Sequence, residues 1–587
     1  MFKLIFRKLS AKEVFLALGV VVFVIASIWL ELKVPSFMAE ITKILQTGGK
    51  TTLILNNGLF MLLCALACSA CSVCASFCVS YLGANVAKRL RFLMFEKVQE
   101  FSPNDFSKFA IPSLITRTTN DILHVQNFMS RGLLVCVKAP IMAVWAISII
   151  AGKSWQWTTA TAVGVVCLVL MLTFVLMFAI PKFKVIQKQT DELNQATREN
   201  LTGVRVVRAY NAEAFEEAKF DRANKKVTRT NLFVNRVMGI ISPFISIINN
   251  GLALAVYLIG AVIINNAVGD AAKLVLFSDM IVFTSYAMQV IMSFMMFSVI
   301  FIMLPRATIS AKRVMEVLDT APSIKDGKLD VSKLKKKGEI EFKNVSFKYP
   351  GAEDYILKDI SFVAKEGQNI AIIGPTGCGK STIVNLITRF YDVSEGEILI
   401  DGVNIKKFKL KDLYNRVGYV PQKAYLFSDT VANNVNYGES LVEKTDANVL
   451  EALEIAEADE FVLKMKNGIA SQIVRAGHNV SGGQKQRLSI ARAIARKPEI
   501  LLLDDCFSAL DFKTDKNLRE NIGKWSTGVT TFMVAQRIGT IQDADLILVL
   551  DKGEIVGRGK HEELLETCEL YKEIAESQIS KEALGGK

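Results

Sequence analysis

The chain has 587 residues, of which 51% are hydrophobic and 22% are charged, and its 70 Lys and Arg outnumber its 57 Asp and Glu to give a net charge of +13. This composition excludes an intrinsically disordered chain, a collagen-like fibre and a disulfide-stapled secreted domain, and the length predicts several domains. Apolar and charged residues are expected to be segregated along the chain. The basic balance indicates either a nucleic-acid partner or a membrane face.

Six apolar runs long enough to cross a bilayer occur before residue 305. They are Val14–Leu30, Leu59–Leu82, Leu133–Ala151, Ala160–Ile180, Val237–Ile264 and Leu274–Leu304. A membrane-spanning helix needs about 20 largely apolar residues. The runs therefore predict an all-α transmembrane domain of six helices within residues 1–320. We expect no acidic side chain at membrane depth, which leaves proton-coupled antiport without support.

The distribution of Lys and Arg predicts the orientation of these helices. Basic residues are concentrated in Lys88–Arg131 and Pro181–Arg236, whereas Gly152–Trp157 and Asn265–Lys273 carry few charges. Because cytoplasmic loops carry the excess of Lys and Arg, the two basic connections are predicted to be cytoplasmic. The N-terminus and the region after residue 305 would then also be cytoplasmic, in a multi-pass protein of the cell membrane. This assignment accounts for the positive charge without a nucleic-acid partner.

The two basic connections are long and have a helical pattern, so the helices are expected to continue into the cytoplasm. Two short segments, Pro112–Asp121 and Thr202–Asn211, would then lie exposed far from the membrane. Both are candidates for docking against the region after residue 305. There, a charge-rich linker within residues 321–338, including Lys333–Lys337, is predicted to lead into a second domain at residues 339–587.

The second domain contains a glycine-rich loop between a predicted strand and a predicted helix. The strand is Ile370–Ile373, and the loop reads Gly374, Pro375, Thr376, Gly377, Cys378, Gly379, Lys380, Ser381 and Thr382. This is the pattern G-x-x-x-x-G-K-[ST] in the context that a phosphate-binding loop requires. Its backbone N–H groups and the following helix N-terminus would face phosphates. Lys380 would reach the β and γ oxygens and Ser381 the Mg²⁺.

Two further elements belong to the same chemistry. Ile500–Leu503 is a continuous aliphatic run typical of a buried strand, and it ends in Asp504, whose carboxylate suits the Mg²⁺ shell. A Ser-Gly-Gly turn at a predicted helix start forms a second anion-binding N-terminus, with Ser481, Gly482, Gly483 and Gln484. Two phosphate-binding elements in one domain make sense if the second contacts a nucleotide held by another copy of the domain.

Over essentially its whole length the chain resembles the ABC exporters, as a multidrug-type half-transporter with the type IV exporter fold. The resemblance implies a second domain that is an α/β P-loop nucleotide-binding domain with an antiparallel β subdomain and a helical subdomain. It identifies Gly374–Thr382 as Walker A, Asp504 as the end of Walker B and Val480–Gln484 as the signature. ATP and Mg²⁺ are the implied cofactors.

The same resemblance assigns roles to single residues. Tyr349 matches the aromatic residue that stacks on adenine. Gln422 matches the residue of the Q-loop that contacts Mg²⁺, together with Ser381 and Asp504, and senses the membrane domain. Two catalytic positions depart from the family, because Asp505 stands where the family has a Glu that polarises water, and Gln536 stands where it has a switch His.

Both departures are expected to weaken hydrolysis. The carboxylate of Asp505 is one methylene shorter than that of Glu, and misplacement by ~1 Å can cost ~10²-fold in rate. Gln536 can hydrogen-bond to a phosphate but cannot carry the positive charge of an imidazolium. Neutral drift could explain either change alone. Both changes beside an intact Walker A favour a site that binds ATP and hydrolyses it poorly.

This combination resembles the degenerate-site subunit of bacterial heterodimeric exporters. It implies a second, catalytically competent half-transporter as partner, whose ATP would be completed by the signature of this chain. Because no dedicated charged site is expected in the spans, the predicted function is ATP-driven export of amphipathic or hydrophobic compounds, as in multidrug efflux. A lipid or hydrophobic-peptide exporter is the alternative within transport. An ATP-gated channel or a regulatory subunit is the alternative from another class.

Polar and sulfur-containing residues within the spans give weaker signals. A helical stripe in the second run is interpreted as small-residue packing rather than a metal or redox site, and consists of Cys64, Cys68, Cys71, Cys74 and Cys78. Gln289, Asn249 and Asn250 are expected to face a cavity or another helix, because unpaired amides are costly in hydrocarbon.

Overall fold

The computed structural model describes residues 11–329 and 338–585, and the predicted linker at Lys333–Lys337 lies outside them. The described chain forms two compact units. The first comprises the described residues up to Gln99 together with Ile111–Thr320, and the second comprises Glu100–Ala110 together with the described residues from Ala321 onward. The short segment Glu100–Ala110, which the sequence places in the membrane domain, therefore groups with the second unit.

The first unit is entirely helical. The helices up to residue 320 are, in chain order, α1 (Ala11–Gln46), α2 (Thr51–Gln99), α3 (Pro103–Lys108, in the second unit), α4 (Ile111–Thr116), α5 (Ile122–Asn127), α6 (Leu133–Ala151), α7 (Trp155–Thr202), α8 (Val204–Ala209), α9 (Glu213–Gly239), α10 (Ile241–Asn265) and α11 (Asp270–Asp319). Two π-helical segments, Arg117–Asp121 and Phe128–Gly132, join α4 to α6.

Six of these helical stretches are long and apolar enough to cross a membrane, which confirms the prediction of six membrane helices. They extend well beyond the apolar runs, since α2, α7 and α11 have 49, 48 and 50 residues. Their core is built from aliphatic and aromatic side chains of α1, α2, α6, α7, α10 and α11. At Gly260 on α10 a Cβ atom would lie 2.4 Å from Met280 Sδ on α11, so a small residue permits this close approach.

The cysteine stripe lies on α2, and its members are free and mostly half-buried. Cys68 Sγ lies 3.4 Å from the carbonyl oxygen of Ser27 on α1 and donates a hydrogen bond to it. The described residues contain no group of three or more His, Cys, Asp or Glu side chains that could hold a metal ion. The contact with α1 fits the packing interpretation.

The second unit contains three sheets. Its strands are β1 (Ile340–Phe347), β2 (Leu357–Ala364), β3 (Asn369–Ile373), β4 (Glu395–Ile400), β5 (Val403–Asn404), β6 (Val417–Val420), β7 (Asp429–Thr430), β8 (Gln472–Ile473), β9 (Ile500–Asp504), β10 (Thr530–Val534), β11 (Leu546–Asp551) and β12 (Glu554–Gly559). The strand orders are β12-β11-β3-β10-β9-β6 in the central sheet, β2-β1-β4-β5 in an antiparallel sheet and β7-β8 in a short ribbon.

The helices of the second unit after residue 338 surround these sheets. They are α12 (Lys380–Ile387), α13 (Leu410–Arg416), α14 (Val431–Val435), α15 (Asp446–Ile455), α16 (Asp459–Leu463), α17 (Gly482–Ile494), α18 (Phe512–Trp525), α19 (Ile538–Ile541), α20 (His561–Thr567) and α21 (Glu569–Gly585). Helices α14 to α17 pack in one hydrophobic core together with residues of the central sheet and of the C-terminal helices. The six membrane helices and this α/β unit confirm the predicted fold class.

The central sheet positions the functional residues. Strands β3, β9 and β10 are parallel neighbours and consist mostly of buried aliphatic and aromatic side chains, as expected of strands covered on both faces. Val534 pairs with Ile372 on one side and with Asp504 on the other. The carboxyl ends of three strands therefore meet at one edge, which is where open α/β sheets bind ligands.

The segment Glu100–Ala110 is held by a buried carboxylate. Asp105 Oδ2 accepts hydrogen bonds from the backbone N–H groups of Ser102 and Ser323, at 3.1 and 3.0 Å, and from both hydroxyls. Burial alone would raise the pKa of Asp105, but these hydrogen bonds outweigh it and hold the pKa below its usual value. The ionised carboxylate of Asp105 thus connects two segments whose hydrogen-bonded residues are 218 positions apart in the sequence.

Candidate functional site

The loop between β3 and α12 has the backbone that its glycines predict. Gly374 and Gly379 have φ values of 154° and 103°. A Cβ atom at Gly374 would lie 2.1 Å from the carbonyl oxygen of Leu550, and one at Gly379 would lie 2.6 Å from Leu357 Cδ2. Only glycine fits both places. The first N–H groups of α12, which have no partner within the helix, follow directly and can bind anions.

Lys380 folds back over this loop. Its ammonium donates to the carbonyl oxygens of Gly374 and Pro375 at 2.7 and 2.8 Å, and its side chain is largely buried. Cys378 lies beneath it, with Sγ 3.9 Å from Lys380 Nζ, and burial raises the pKa of this thiol. A phosphate at the loop would offer the ammonium stronger, charged acceptors than the two carbonyl groups.

Ser381 and Asp504 form the adjacent polar pair. Ser381 Oγ donates to Asp504 Oδ1 at 2.7 Å. Burial raises the pKa of Asp504, the hydroxyl of Ser381 opposes this shift, and the neighbouring charge of Asp505 adds to it. A hydroxyl and a carboxylate oxygen at this separation are hard ligands of the kind that Mg²⁺ takes. The donor set therefore fits the divalent cation that the sequence implies.

The two departing positions meet in a single hydrogen-bonded cluster. Asp505 Oδ2 accepts from Gln536 Nε2 at 2.7 Å and from Gln422 Nε2 at 3.1 Å. Asp505 has a left-handed backbone, with φ of 47°, and its N–H donates to the carbonyl oxygen of Val534 at 3.0 Å. Three residues that the sequence identifies separately, at the ends of β6, β9 and β10, are thus brought together around one carboxylate oxygen.

Tyr349 lies beside the same loop. Its hydroxyl is 3.1 Å from Thr382 Oγ1, and its half-buried ring contacts the rings of Phe347 and Tyr391 edge to face. These contacts fix the ring next to α12. Tyr349 is the residue that the sequence predicts to stack on adenine.

The Ser-Gly-Gly turn begins α17. Ser481 is the N-cap, its Oγ accepts from the N–H of Gln484 at 3.3 Å, and Gln484 Oε1 accepts from the N–H of Ser481 at 2.9 Å. Ser481 and Gly482 are exposed, and nothing lies within 4 Å of a Cβ atom placed on Gly482. The reciprocal cap fixes the turn and leaves its surface accessible.

One supporting residue was not predicted from the sequence. Gln578, on α21, donates from Nε2 to the carbonyl oxygen of Gln536 and accepts from the N–H of Ile538 at Oε1, both at 2.7 Å. This side-chain amide therefore binds the backbone of the segment Gln536–Ile538 through two hydrogen bonds. No motif marks Gln578, because its role depends on where the C-terminal helix lies against the sheet.

The membrane helices contain ion pairs that the sequence reading missed. Asp279 lies inside the sixth apolar run and pairs with Lys153. Glu31 directly follows the first run and pairs at 3.0 Å with Lys138, which lies inside the third. The expectation that the spans contain no acidic side chain is therefore wrong, because Asp279 lies within the sixth. A single charge changes the average apolarity of a run very little, so this average does not reveal Asp279.

Comparisons with known proteins agree with these two units. Residues 16–294 match the family model of the ABC transporter transmembrane region, and residues 357–508 match the ABC transporter model. An uncharacterised ABC transporter ATP-binding protein of Mycobacterium tuberculosis is 35% identical over 99% of this chain and 98% of its own length. An ATP-dependent lipid A-core flippase of Haemophilus ducreyi is 31% identical over 86% of each chain. The structure of a bacterial Atm1-family ABC exporter with ATP bound superposes with a TM-score of 0.78 and 26% identity, over 97% of this chain and 100% of that one.

Proposed function

The chain belongs to the ABC transporters, as a multi-pass membrane protein of the exporter type with a C-terminal ATP-hydrolysing domain, and from this premise we propose that it is the degenerate-site half of a heterodimeric exporter. Its substrates would be amphipathic or hydrophobic compounds. The proposal rests on one observation. Asp505 Oδ2 accepts hydrogen bonds from the side-chain amides of both Gln422 and Gln536.

This arrangement is poorly suited to activating water. A general base must present a free carboxylate oxygen within hydrogen-bond reach of the water that it polarises. In this chain one of the two carboxylate oxygens of Asp505, Oδ2, already accepts two amide hydrogens, which fixes the orientation of the carboxylate, and the side chain is one methylene shorter than that of Glu. Gln536 is neutral at every pH and cannot supply the positive charge of an imidazolium to a developing phosphate charge. Binding would therefore be retained while hydrolysis is slow.

Nucleotide binding itself is supported by the intact half of the site. Gly374–Thr382 would hold the phosphates through backbone N–H groups, and Lys380 would exchange two carbonyl acceptors for phosphate oxygens. Ser381, Asp504 and Gln422 would hold Mg²⁺, which neutralises phosphate charge when bound. Tyr349 would lie against the adenine. These residues bind and orient the nucleotide but do not require the chain to hydrolyse it.

Two features support a partner chain. The exposed turn at Ser481 and Gly482 presents a second anion-binding N-terminus, and it would complete the competent ATP site of the partner. In the first unit the tip formed by α8 and its neighbours exposes large apolar side chains at Leu201, Val206 and Tyr210, which are 70%, 61% and 79% accessible. This tip includes the predicted docking segment Thr202–Asn211. Exposed apolar clusters of this kind mark interaction surfaces.

A lipid exporter remains the alternative within transport, and the similarity to lipid A-core flippases favours it over a hydrophobic peptide. An ATP-gated channel or a regulatory subunit is the alternative from another class. Uphill accumulation of substrate in vesicles, driven by ATP, would separate a pump from a channel, because a channel only lets a gradient dissipate.

The decisive experiment compares the chain alone with the complex it forms with a second half-transporter. We expect the purified chain to bind Mg-ATP and to show little ATPase activity, and we expect the complex to be active. Equal turnover per nucleotide site in both preparations would overturn the degenerate-site assignment. Loss of ATP binding by the lone chain would overturn it as well, because the intact phosphate loop is expected to bind without a partner.

A further inference from the structure

An ion pair links the membrane helices α1 and α6. Glu31 Oε2 lies 3.0 Å from Lys138 Nζ, and the two side chains are 32% and 21% exposed. Lys138 is the one charged residue among the 19 of α6. Ionisable groups within membrane helices are rare and are associated with substrate or ion pathways. The pair is therefore the strongest candidate for a polar site in the membrane unit.

Distances along the two helices place the pair between their predicted outer and cytoplasmic ends. At about 1.5 Å per residue, Lys138 is about 20 Å along α6 from Ala151, at the predicted outer end of the helix. By the same rise, Glu31 is about 27 Å along α1 from Glu13. Glu13 pairs with Arg89 and marks the predicted cytoplasmic end. The two distances together span about 47 Å, so a hydrocarbon core of about 30 Å centred between these two ends contains the pair.

The neighbouring helices enclose the pair on several sides. Cys68 on α2 bonds to Ser27, about one turn before Glu31, and Tyr286 on α11 donates to the carbonyl oxygen of Leu32 at 2.7 Å. Helix α6 contacts α1, α2 and α11. Gln289, one turn from Tyr286, has a buried amide oxygen without a hydrogen-bond partner among the described residues. A charged pair and an unpartnered amide thus occur at similar depth within a bundle of four helices.

We propose that Glu31 and Lys138 form the headgroup-binding end of a substrate cavity and that the ligand is a zwitterionic amphiphile. Its anionic group would bind Lys138 and its cationic group would bind Glu31. The inference deepens the proposed export function and rests on it for the direction of transport. It replaces the expectation, drawn from the apolar runs, that substrate recognition involves no charged residues.

Charge balance selects the zwitterion. An anion alone could bind Lys138 only by leaving the carboxylate of Glu31 uncompensated in a medium of low dielectric constant, and a lone cation would strand Lys138 in the same way. Removing one partner of an ion pair in such a medium is strongly unfavourable, because the remaining charge is left uncompensated. A ligand with both charges exchanges one ion pair for two and strands neither group. Each side chain has hydrogen-bonding capacity beyond the present pair, since an ammonium has three donors and a carboxylate two oxygens.

Stabilisation of the fold does not account for the pair equally well. The cost of desolvating two charges offsets most of their attraction, so an apolar pair of similar volume would hold α1 against α6 at least as firmly. The pair is also partly accessible, whereas Asp105, which has a purely structural environment, is fully buried.

The test measures binding of amphiphiles that share one dodecyl chain and differ in headgroup. The complex with the partner chain, in uncharged maltoside micelles, is titrated with dodecylphosphocholine, dodecyl phosphate, dodecyltrimethylammonium and a further uncharged glycoside. An apolar peptide with free termini is a fifth probe, and it distinguishes a peptide from a lipid-like headgroup as the source of the zwitterion. We expect the phosphocholine to bind at least ~10-fold more tightly than the uncharged probe.

The variants separate recognition from folding. We expect E31Q/K138Q to lose the preference for the zwitterion and to retain affinity for the uncharged probe. E31Q alone should shift preference to the anion, and K138Q alone to the cation. The charge swap E31K/K138E keeps an ion pair between the same positions, so it should fold and retain the preference. The matched control D279N/K153Q removes another ion pair of the membrane unit, between α11 and the loop that joins α6 to α7, and should leave all affinities unchanged.

An unchanged zwitterion preference in E31Q/K138Q would overturn the site, as would a wild-type complex without any preference. Tightest wild-type binding of a singly charged probe would overturn the ligand class. Failure of the proposed export function has a different signature. In that case the headgroup preference and its dependence on Glu31 and Lys138 would be present, but ATP would drive no accumulation in vesicles.

Discussion

Gln536 Nε2 lies 2.7 Å from Asp505 Oδ2, so the two positions at which this chain departs from its family are hydrogen-bonded to each other. The same oxygen accepts the amide of Gln422. The two departures from the family are therefore structurally coupled, because their side chains are direct hydrogen-bond partners. A single replacement at either position would leave the other side chain with an altered partner.

Restoring both positions is expected to raise hydrolysis more than restoring either one. D505E extends the carboxylate by one methylene, and Q536H supplies a group that can become positively charged, so the double variant should gain up to ~10²-fold in turnover at this site. ATP turnover in the complex with the partner chain measures the effect. The pair Q542H/D543E, at two neighbouring exposed positions, is the matched control. No gain in the double variant would remove Asp505 and Gln536 as the cause of slow hydrolysis.

Replacing Lys380 by Ala should weaken Mg-ATP binding by roughly 10- to 100-fold, because charged hydrogen bonds to phosphate contribute about 1.5–3 kcal/mol. Equilibrium binding of a fluorescent ATP analogue to the purified chain measures this loss. The control is K358A, which removes an exposed lysine of β2. Equal affinity of K380A and K358A would contradict a phosphate-binding role for the loop.

The amide of Gln578 is expected to hold the segment that carries Gln536. Q578A removes both hydrogen bonds and should accelerate hydrogen exchange at the backbone N–H of Ile538. Q578E keeps the acceptor for Ile538 but loses the donor to Gln536, so its effect on that N–H should be smaller. S577A, one residue away, serves as the control. Identical exchange in Q578A and S577A would show that other contacts order this segment.

Asp105 makes the stability of the second unit depend on pH. Its pKa is lowered in the folded chain, so its stabilising contribution is present above the unfolded value of about 3.9 and is lost as pH falls through the folded value. We expect D105N to lower thermal stability at pH 7 and the difference from wild type to shrink below about pH 4. D354N, at an exposed carboxylate, is the control. A difference that is constant with pH would mean that the ionised carboxylate is not the stabilising form.

The elements with strong local signals were predictable from the sequence. Six apolar runs predicted six membrane helices, and a strand, a glycine loop and a helix in succession predicted the backbone around Gly374 and Gly379. These signals are contiguous in the chain. The meeting of Gln422, Asp505 and Gln536 was not predictable from spacing, because it depends on the order in which β6, β9 and β10 lie side by side.

Features that depend on one residue from each of two distant segments escaped prediction. Lys138 is one charge in an apolar helix, and Glu31 directly follows an apolar run, so neither changes the average that defines a span. Their meeting requires that α1 and α6 are neighbours. Gln578 is similar, since a glutamine in a polar helix carries no signal in the sequence until the helix is placed beside Ile538. Tertiary pairing, not local propensity, specifies these sites.

The hydrogen bond from the N–H of Ser323 to the carboxylate of Asp105 constrains when the second unit can complete its fold during synthesis. The two residues are 218 positions apart, and most of the membrane helices lie between them in the chain. During synthesis Asp105 emerges long before Ser323, so its carboxylate has no Ser323 N–H to accept until the intervening helices have been made. This contact within the ATP-binding unit can therefore form only after the intervening membrane helices have been synthesised. A truncated chain beginning after residue 320 would lack this carboxylate. Its stability would show whether the second unit folds without Asp105.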